Sequence, residues 1–164
     1  MRILAGFLGL MLSGVVCAAP TAPVIDKEGF VRVEMDVGHS PGKVRSYLSD
    51  AERTMRLGQE IREVDTIQEG ECTLMKVTTH GFGQTMHFLS RRCPTLDGWQ
   101  STMLESPDFE RHDIEWTVSP SESGSHVMMR VRIIPRIPVP QFVIRKIVGG
   151  ALVDTLNRLK RVLE

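Results

Sequence analysis

From residue 30 to residue 133, apolar and polar side chains alternate with a period of two, in short runs separated by turn-forming residues. The clearest run is residues 30–37. Val31, Val33, Met35 and Val37 share one face and Arg32, Glu34 and Asp36 the other, as in a half-buried strand. Ser40 and Pro41 then supply a capping hydroxyl and a first-turn proline for a short helix through Leu48. Asp50 can cap a second short helix, residues 51–57, which Gly58 ends. Strand-like runs follow at residues 61–67, 71–80, 84–92, 99–104, 109–118 and 126–133. Turn-forming clusters separate them, the longest being residues 119–125.

The period changes once, after the proline-rich stretch 135–140. Residues 141–164 read as one amphipathic helix. Ile144, Val148, Ala151, Thr155, Leu159 and Val162 fall on one face, with Ile147, Leu152, Leu156 and Leu163 on its shoulders. By helical angle Gly149 and Gly150 point away from that stripe and mark a soft point or kink. So apolar a helix needs a surface to cover, and the dry face of an antiparallel sheet is the one on offer. The order strand, two short helices, six strands, long helix predicts an α+β fold. A curved antiparallel sheet of about seven strands would wrap round the C-terminal helix. A sheet curled round one helix leaves a gap between them.

One hairpin can be registered from sequence. If Phe82 and Gly83 form a two-residue loop between runs 71–80 and 84–92, paired residue numbers sum to a constant. Cys72 and Cys93 then sit directly opposite at a non-hydrogen-bonded pair, where Cα atoms approach to about 4.5 Å. That is within reach of a disulfide. A loop one residue longer or shorter would remove the alignment.

Composition narrows the function. Lys and Arg number 20 and Asp and Glu 20, so no long-range field draws the chain to nucleic acid or an anionic membrane. No CxxC or nearby histidine pair supplies a metal site, and no nucleotide-binding or nucleophile motif is present. Arg2, the apolar run 3–16 and the small residues Val16 and Ala18 match a cleaved secretory signal, with cleavage after Ala18. Residues 1–18 are thus expected to be a signal peptide, 19–29 a polar leader and 30–164 the domain. Export to a periplasm is expected, where a Cys72–Cys93 bridge would persist.

The pattern resembles the START-like (SRPBCC) superfamily, the polyketide cyclase/dehydrase and lipid-transport group with its helix-grip fold. The likeness rests on the strand 30–37, on Ser40 and Pro41 opening the first helix, and on Tyr47, Leu48, Ser49 and Asp50 closing it. It continues in residues 116–120, the strand 126–133 and the closing amphipathic helix. The coenzyme Q-binding branch looks nearest. The signal segment and the cysteine pair depart from what is usual in that family.

The resemblance implies a cavity between sheet and helix holding a lipid, quinone, sterol, isoprenoid or polyketide-like molecule, and binding without a cofactor and without catalysis is expected. Strand parity gives the same place. Met35, Met75, Val77, Met86, Phe88, Met103, Trp116, Met129 and Val131 face inward, opposite Ile144, Val148 and Ala151. Five of the chain's nine methionines lie in this set, and methionine adapts to irregular ligands. The same stripe would also serve a packed core binding only a protein partner. A cavity under ~300 Å³ would be too small for typical ligands and would count against the binding reading. His112 shares parity with Ile114 and Trp116 and points inward with Glu110. It would hydrogen-bond a ligand head group, or with Glu110 act as acid and base in a cyclase-type reaction. Ile137, Val139 and Phe142 in the proline-rich stretch form a candidate membrane-touching lip. A monomer is expected.

Overall fold

The computed structural model describes residues 18–164. The expected signal peptide lies outside them but for Ala18. The elements are β1 (Val24–Ile25), β2 (Val31–Val37), α1 (Pro41–Leu48), α2 (Ala51–Met55), β3 (Ile61–Glu69), β4 (Cys72–Gly81), β5 (Gln84–Pro94), β6 (Gly98–Glu105), β7 (Phe109–Ser121), β8 (Gly124–Pro135) and α3 (Gln141–Leu163). The strands form one eight-stranded antiparallel sheet in the order β1-β2-β8-β7-β6-β5-β4-β3.

Local chemistry sets the boundaries. The Ser40 hydroxyl accepts from the Lys43 amide at 3.3 Å at the start of α1. The Asp50 carboxylate accepts from the Arg53 amide at 2.8 Å at the start of α2, each filling an unpaired helical N–H. Phe82 and Gly83 both take positive φ, 52° and 80°, as the two-residue hairpin turn requires. Gly81 therefore pairs with Gln84 and Thr73 with Arg92, the register expected from the loop length. Cys72 and Cys93 meet at a Cα separation of 4.3 Å and are bonded.

Four expectations are corrected. The polar leader contains β1, which pairs with β2, and the Thr21 amide donates to the Glu34 carbonyl at 2.8 Å. Residues 119–125 are not a long loop: β7 and β8 run on until Ser121 pairs with Gly124. Gly149 is buried against Pro23, where a side chain would come within 2.7 Å of the proline ring, so this glycine admits the leader. The helix runs unbroken through both glycines. Its buried stripe also lies toward one shoulder: Leu152, Leu156 and Leu163 are buried, while Ile147 and Val162 are exposed.

The sheet bends at bulges between Ile61 and Glu63, Leu89 and Ser90, and Phe109 and Arg111, each adding local twist. Its two halves are covered separately. α3 packs chiefly on β2 and β8, and α2 on β3 and β4. The core divides accordingly. One cluster under α3 contains Met35, Trp116, Met129, Val131, Ile144 and Val148. A second contains Ala51, Met75, Val77, Met86, Phe88 and Phe109. Met55, Phe82 and Ile133 touch both.

Candidate functional site

Where two core clusters meet, neither α2 nor α3 fully covers the sheet, and a cavity of about 110 Å³ remains. Trp116, Met129, Val131, Val148 and Leu152 wall it on the α3 side, and Ala51, Phe109 and Thr54 on the α2 side. Residues that both line it and reach solvent mark the mouth: His80 in β4 and Ile147 on α3. Phe82 sits between them at the hairpin turn, half-buried.

The predicted set divides. His112, Trp116, Met129, Val131, Val148 and Ala151 line the cavity. Met35, Met75, Val77, Met86, Phe88 and Ile144 are buried in the two clusters outside its lining, and Met103 packs half-buried against the second. Parity identifies the face of a strand but not the row along it, and most of the methionines lie in rows already filled by their neighbours. Of the five, Met129 alone reaches the cavity; Met55 of α2, outside that set, reaches it too. The cavity is also smaller than the ~300 Å³ expected of typical ligand sites.

His112 is inward as expected, 7% exposed. Phe88 stacks on its ring at 4.0 Å between centroids, and Phe109 meets it edge-on at 5.0 Å. Its Nδ1 has no hydrogen-bond partner. Burial pushes its pKa down to about 4 against the weaker pull of the Asp113 carboxylate, so the ring is neutral at pH 7. Glu110 does not join it. The bulge between Phe109 and Arg111 shifts the parity, so Phe109 turns inward and Glu110 faces solvent. The expected His112–Glu110 pair is therefore not assembled.

A local separation of strands explains the aromatic cluster. β6 pairs with β7 only from Gly98 to Ser101. Beyond that point the Asp113 carboxylate fills the gap from outside, accepting from the Met103 amide at 3.3 Å and pairing with Arg111 and Arg132. Phe88 and His112 close it from within.

Sequence reasoning missed Arg92. It continues the inward row Met86, Phe88, Ser90 and pairs with inward Ser101, so the same alternation could have found it. The side chain is 4% exposed and lines the cavity. One Nη2 hydrogen bond goes to the Leu48 carbonyl at 2.5 Å, at the end of α1. The guanidinium carbon lies 4.9 Å from the Trp99 ring centre. Among the described residues no carboxylate comes within ion-pair distance of it. Burial pulls its pKa down to about 10, opposed by the more distant Asp50, and at pH 7 it remains a cation. Arg130 on the outer face has the contrary environment: Glu115, Asp26 and Glu28 surround it and raise its pKa.

At the proposed lip, Phe142 opens α3 and is 74% exposed, while Ile137 and Val139 are half-buried. No described helix is long and apolar enough to cross a membrane.

The architecture has solved counterparts. A START superfamily protein from Mycobacterium smegmatis is similar at 16% identity with a TM-score of 0.70, over 82% of this chain and 96% of that one. An aromatase/cyclase from Streptomyces sp. R1128 is 16% identical with a TM-score of 0.65, over 82% and 92%. A STAR-related lipid transfer protein from Xanthomonas axonopodis is 14% identical with a TM-score of 0.63, over 86% and 97%. At these identities the likeness is one of fold. No curated protein matches the sequence. The family model for polyketide cyclase/dehydrase and lipid transport, however, matches residues 37–160, from the end of β2 almost to the end of α3, and the chain belongs to that family.

Proposed function

We propose that this protein binds a hydrophobic small molecule in the cavity between the sheet and α3 and carries it without transforming it. The observation that carries this reading is a largely apolar seam in the core lined by two buried ionisable side chains, Arg92 and His112. Apolar walls with a few placed polar groups are the usual make-up of a ligand site. The family's name and the printed names of its relatives, which include both cyclases and lipid transfer proteins, support the same class of ligand.

Size bounds the ligand. A dry cavity of about 150 Å³ holds a benzene-sized molecule, so about 110 Å³ suits a small ring or short chain. A quinone, sterol or long isoprenoid requires Phe82 and Ile147 to part at the mouth. The disulfide and the signal-like amino terminus support a periplasmic site of action. Phe142, with Ile137 and Val139 beside it, is the proposed point of passing membrane contact, and the protein acts as a monomer.

Cyclase-type chemistry is the second reading. It is favoured by His112, a neutral imidazole at the cavity wall and so a possible proton acceptor. Against it, Glu110 is outside, so the expected His112–Glu110 pair is not assembled. Native mass spectrometry of protein purified from the periplasm tests binding. A bound lipid, or a mass shift on adding ubiquinone or cholesterol, is the expected result. Bare protein throughout would refute the carrier reading.

A further inference from the structure

We infer that the cavity selects an apolar molecule ending in a single carboxylate, and that Arg92 receives that carboxylate. The inference rests on the binding role proposed above and adds the chemistry of the head group.

A guanidinium carries five N–H donors and no acceptor. Arg92 directs one of them to the Leu48 carbonyl. That carbonyl also accepts from the Thr54 hydroxyl at 3.0 Å, so the end of α1 has a neutral donor without it. Capping a helix therefore does not explain why a charge stands here. The guanidinium is buried, lines an apolar space and has no ion-pair partner among the described residues. An unpaired buried charge destabilises a fold unless something compensates it. Its neighbours are of the wrong kind to do so: Trp99 offers a ring face, Ser101 a hydroxyl and Leu48 a carbonyl.

What is missing is an anion, and the open space that Arg92 lines is the ligand cavity. The count of charges fixes which anion. Among the lining residues Arg92 is the sole lysine or arginine and the one buried charge; Glu60, the lining carboxylate, is only half-buried and His112 is neutral, so one positive charge faces the buried end of the ligand. A monoanion matches it, whereas a phosphate monoester would bring a second charge with no partner. A carboxylate also fits the planar guanidinium fork with two parallel hydrogen bonds. The apolar remainder of the ligand then lies along Trp116, Met129, Val131 and Val148 toward the mouth at Ile147.

The test is isothermal titration of the disulfide-bonded protein at pH 7.5 with matched pairs: hexanoate and decanoate against 1-hexanol and 1-decanol. Two chain lengths cover a closed and a widened cavity. A charge-assisted hydrogen bond to a buried partner corresponds to at least about a tenfold preference, so each acid should bind at least that much more tightly than its alcohol. Arg92→Met should weaken the acids at least tenfold. Arg91→Met, one position away on the outer face and paired with Glu69, should leave the preference intact. Equal affinities for acids and alcohols in the unaltered protein would overturn the head-group assignment while leaving hydrophobic binding in place. Alcohols binding more tightly than acids would do the same. Binding of neither class would overturn the carrier reading itself, and this inference with it.

Discussion

His112 is the buried group whose titration has the clearest consequence for stability, and replacing it with phenylalanine isolates that consequence. Its pKa in the folded chain is lowered from 6.5 to about 4 by burial. As the pH falls below 6.5 the unfolded chain takes up a proton that the folded chain refuses, so stability declines. The decline ends near pH 4, where the folded form protonates as well. At 1.36 kcal/mol per pH unit, the full displacement is worth about 3 kcal/mol. Close to none of it is felt at pH 7, and about 2 kcal/mol at pH 5. Phenylalanine suits the site: the ring would keep its stack on Phe88 and its edge contact with Phe109, and the adjoining cavity gives the extra carbon room. It also removes an unpartnered buried nitrogen, so at pH 7 the variant should equal or exceed the parent by about 1 kcal/mol. Other groups titrate too. Hydrogen bonds from backbone amides and Arg130 hold Asp26 below its usual 3.8, and it adds its own loss at lower pH. The quantity to measure is therefore the difference between the two proteins, from urea unfolding followed by tryptophan fluorescence at pH 7 and pH 5. The parent should lose about 2 kcal/mol more than His112→Phe over that interval. Losses equal to within about 0.5 kcal/mol would refute the placement of His112 as a buried neutral base.

Three further outcomes follow from the geometry. Reducing the Cys72–Cys93 bridge, which closes a separation of 21 residues, should lower unfolding stability by about 3 kcal/mol, read as a shift in the denaturation midpoint; an unchanged midpoint would mean the hairpin holds without it. Gly98→Ala would put a methyl 1.7 Å from the Trp116 carbonyl oxygen, where β6 pairs with β7. A loss above about 4 kcal/mol is expected, visible as failure to recover folded protein. Ala151→Phe projects a ring into the cavity. It should abolish uptake of a fluorescent fatty acid while keeping the circular dichroism of the parent, and undiminished uptake would move the ligand elsewhere.

The fold was legible because its two periods are clean. Alternation in β2 and β8 fixes their buried faces regardless of neighbours, and the switch to helical spacing after Pro140 has no competing interpretation. The cysteine register was legible for a similar reason: Gly83 makes a two-residue turn easy, and turn length determines every pair behind it. Departures came where the ladder is irregular. A bulge adds one residue and reverses parity, which is how Glu110 left the interior and Phe109 entered it. Nothing in the pattern of residues 109–113 announces that insertion.

The site was half legible, for a different reason. Periodicity reports which way a side chain points, and a cavity depends on what is absent opposite it. The inward methionines of β4 and β5 are as apolar as Met129, yet they lie packed in a core cluster with Val64, Phe88 and Phe109, whereas nothing fully closes the seam between α2 and α3. Only a side chain unsuited to a packed core could mark that seam from sequence. Arg92 is such a residue, an arginine in phase with Met86 and Phe88 at a position where alternation calls for an apolar group. Local rules are broken most often where a fold gives up stability to function. The inward arginine, more than the methionine stripe, is the place in this sequence where packing alone fails to account for the residue.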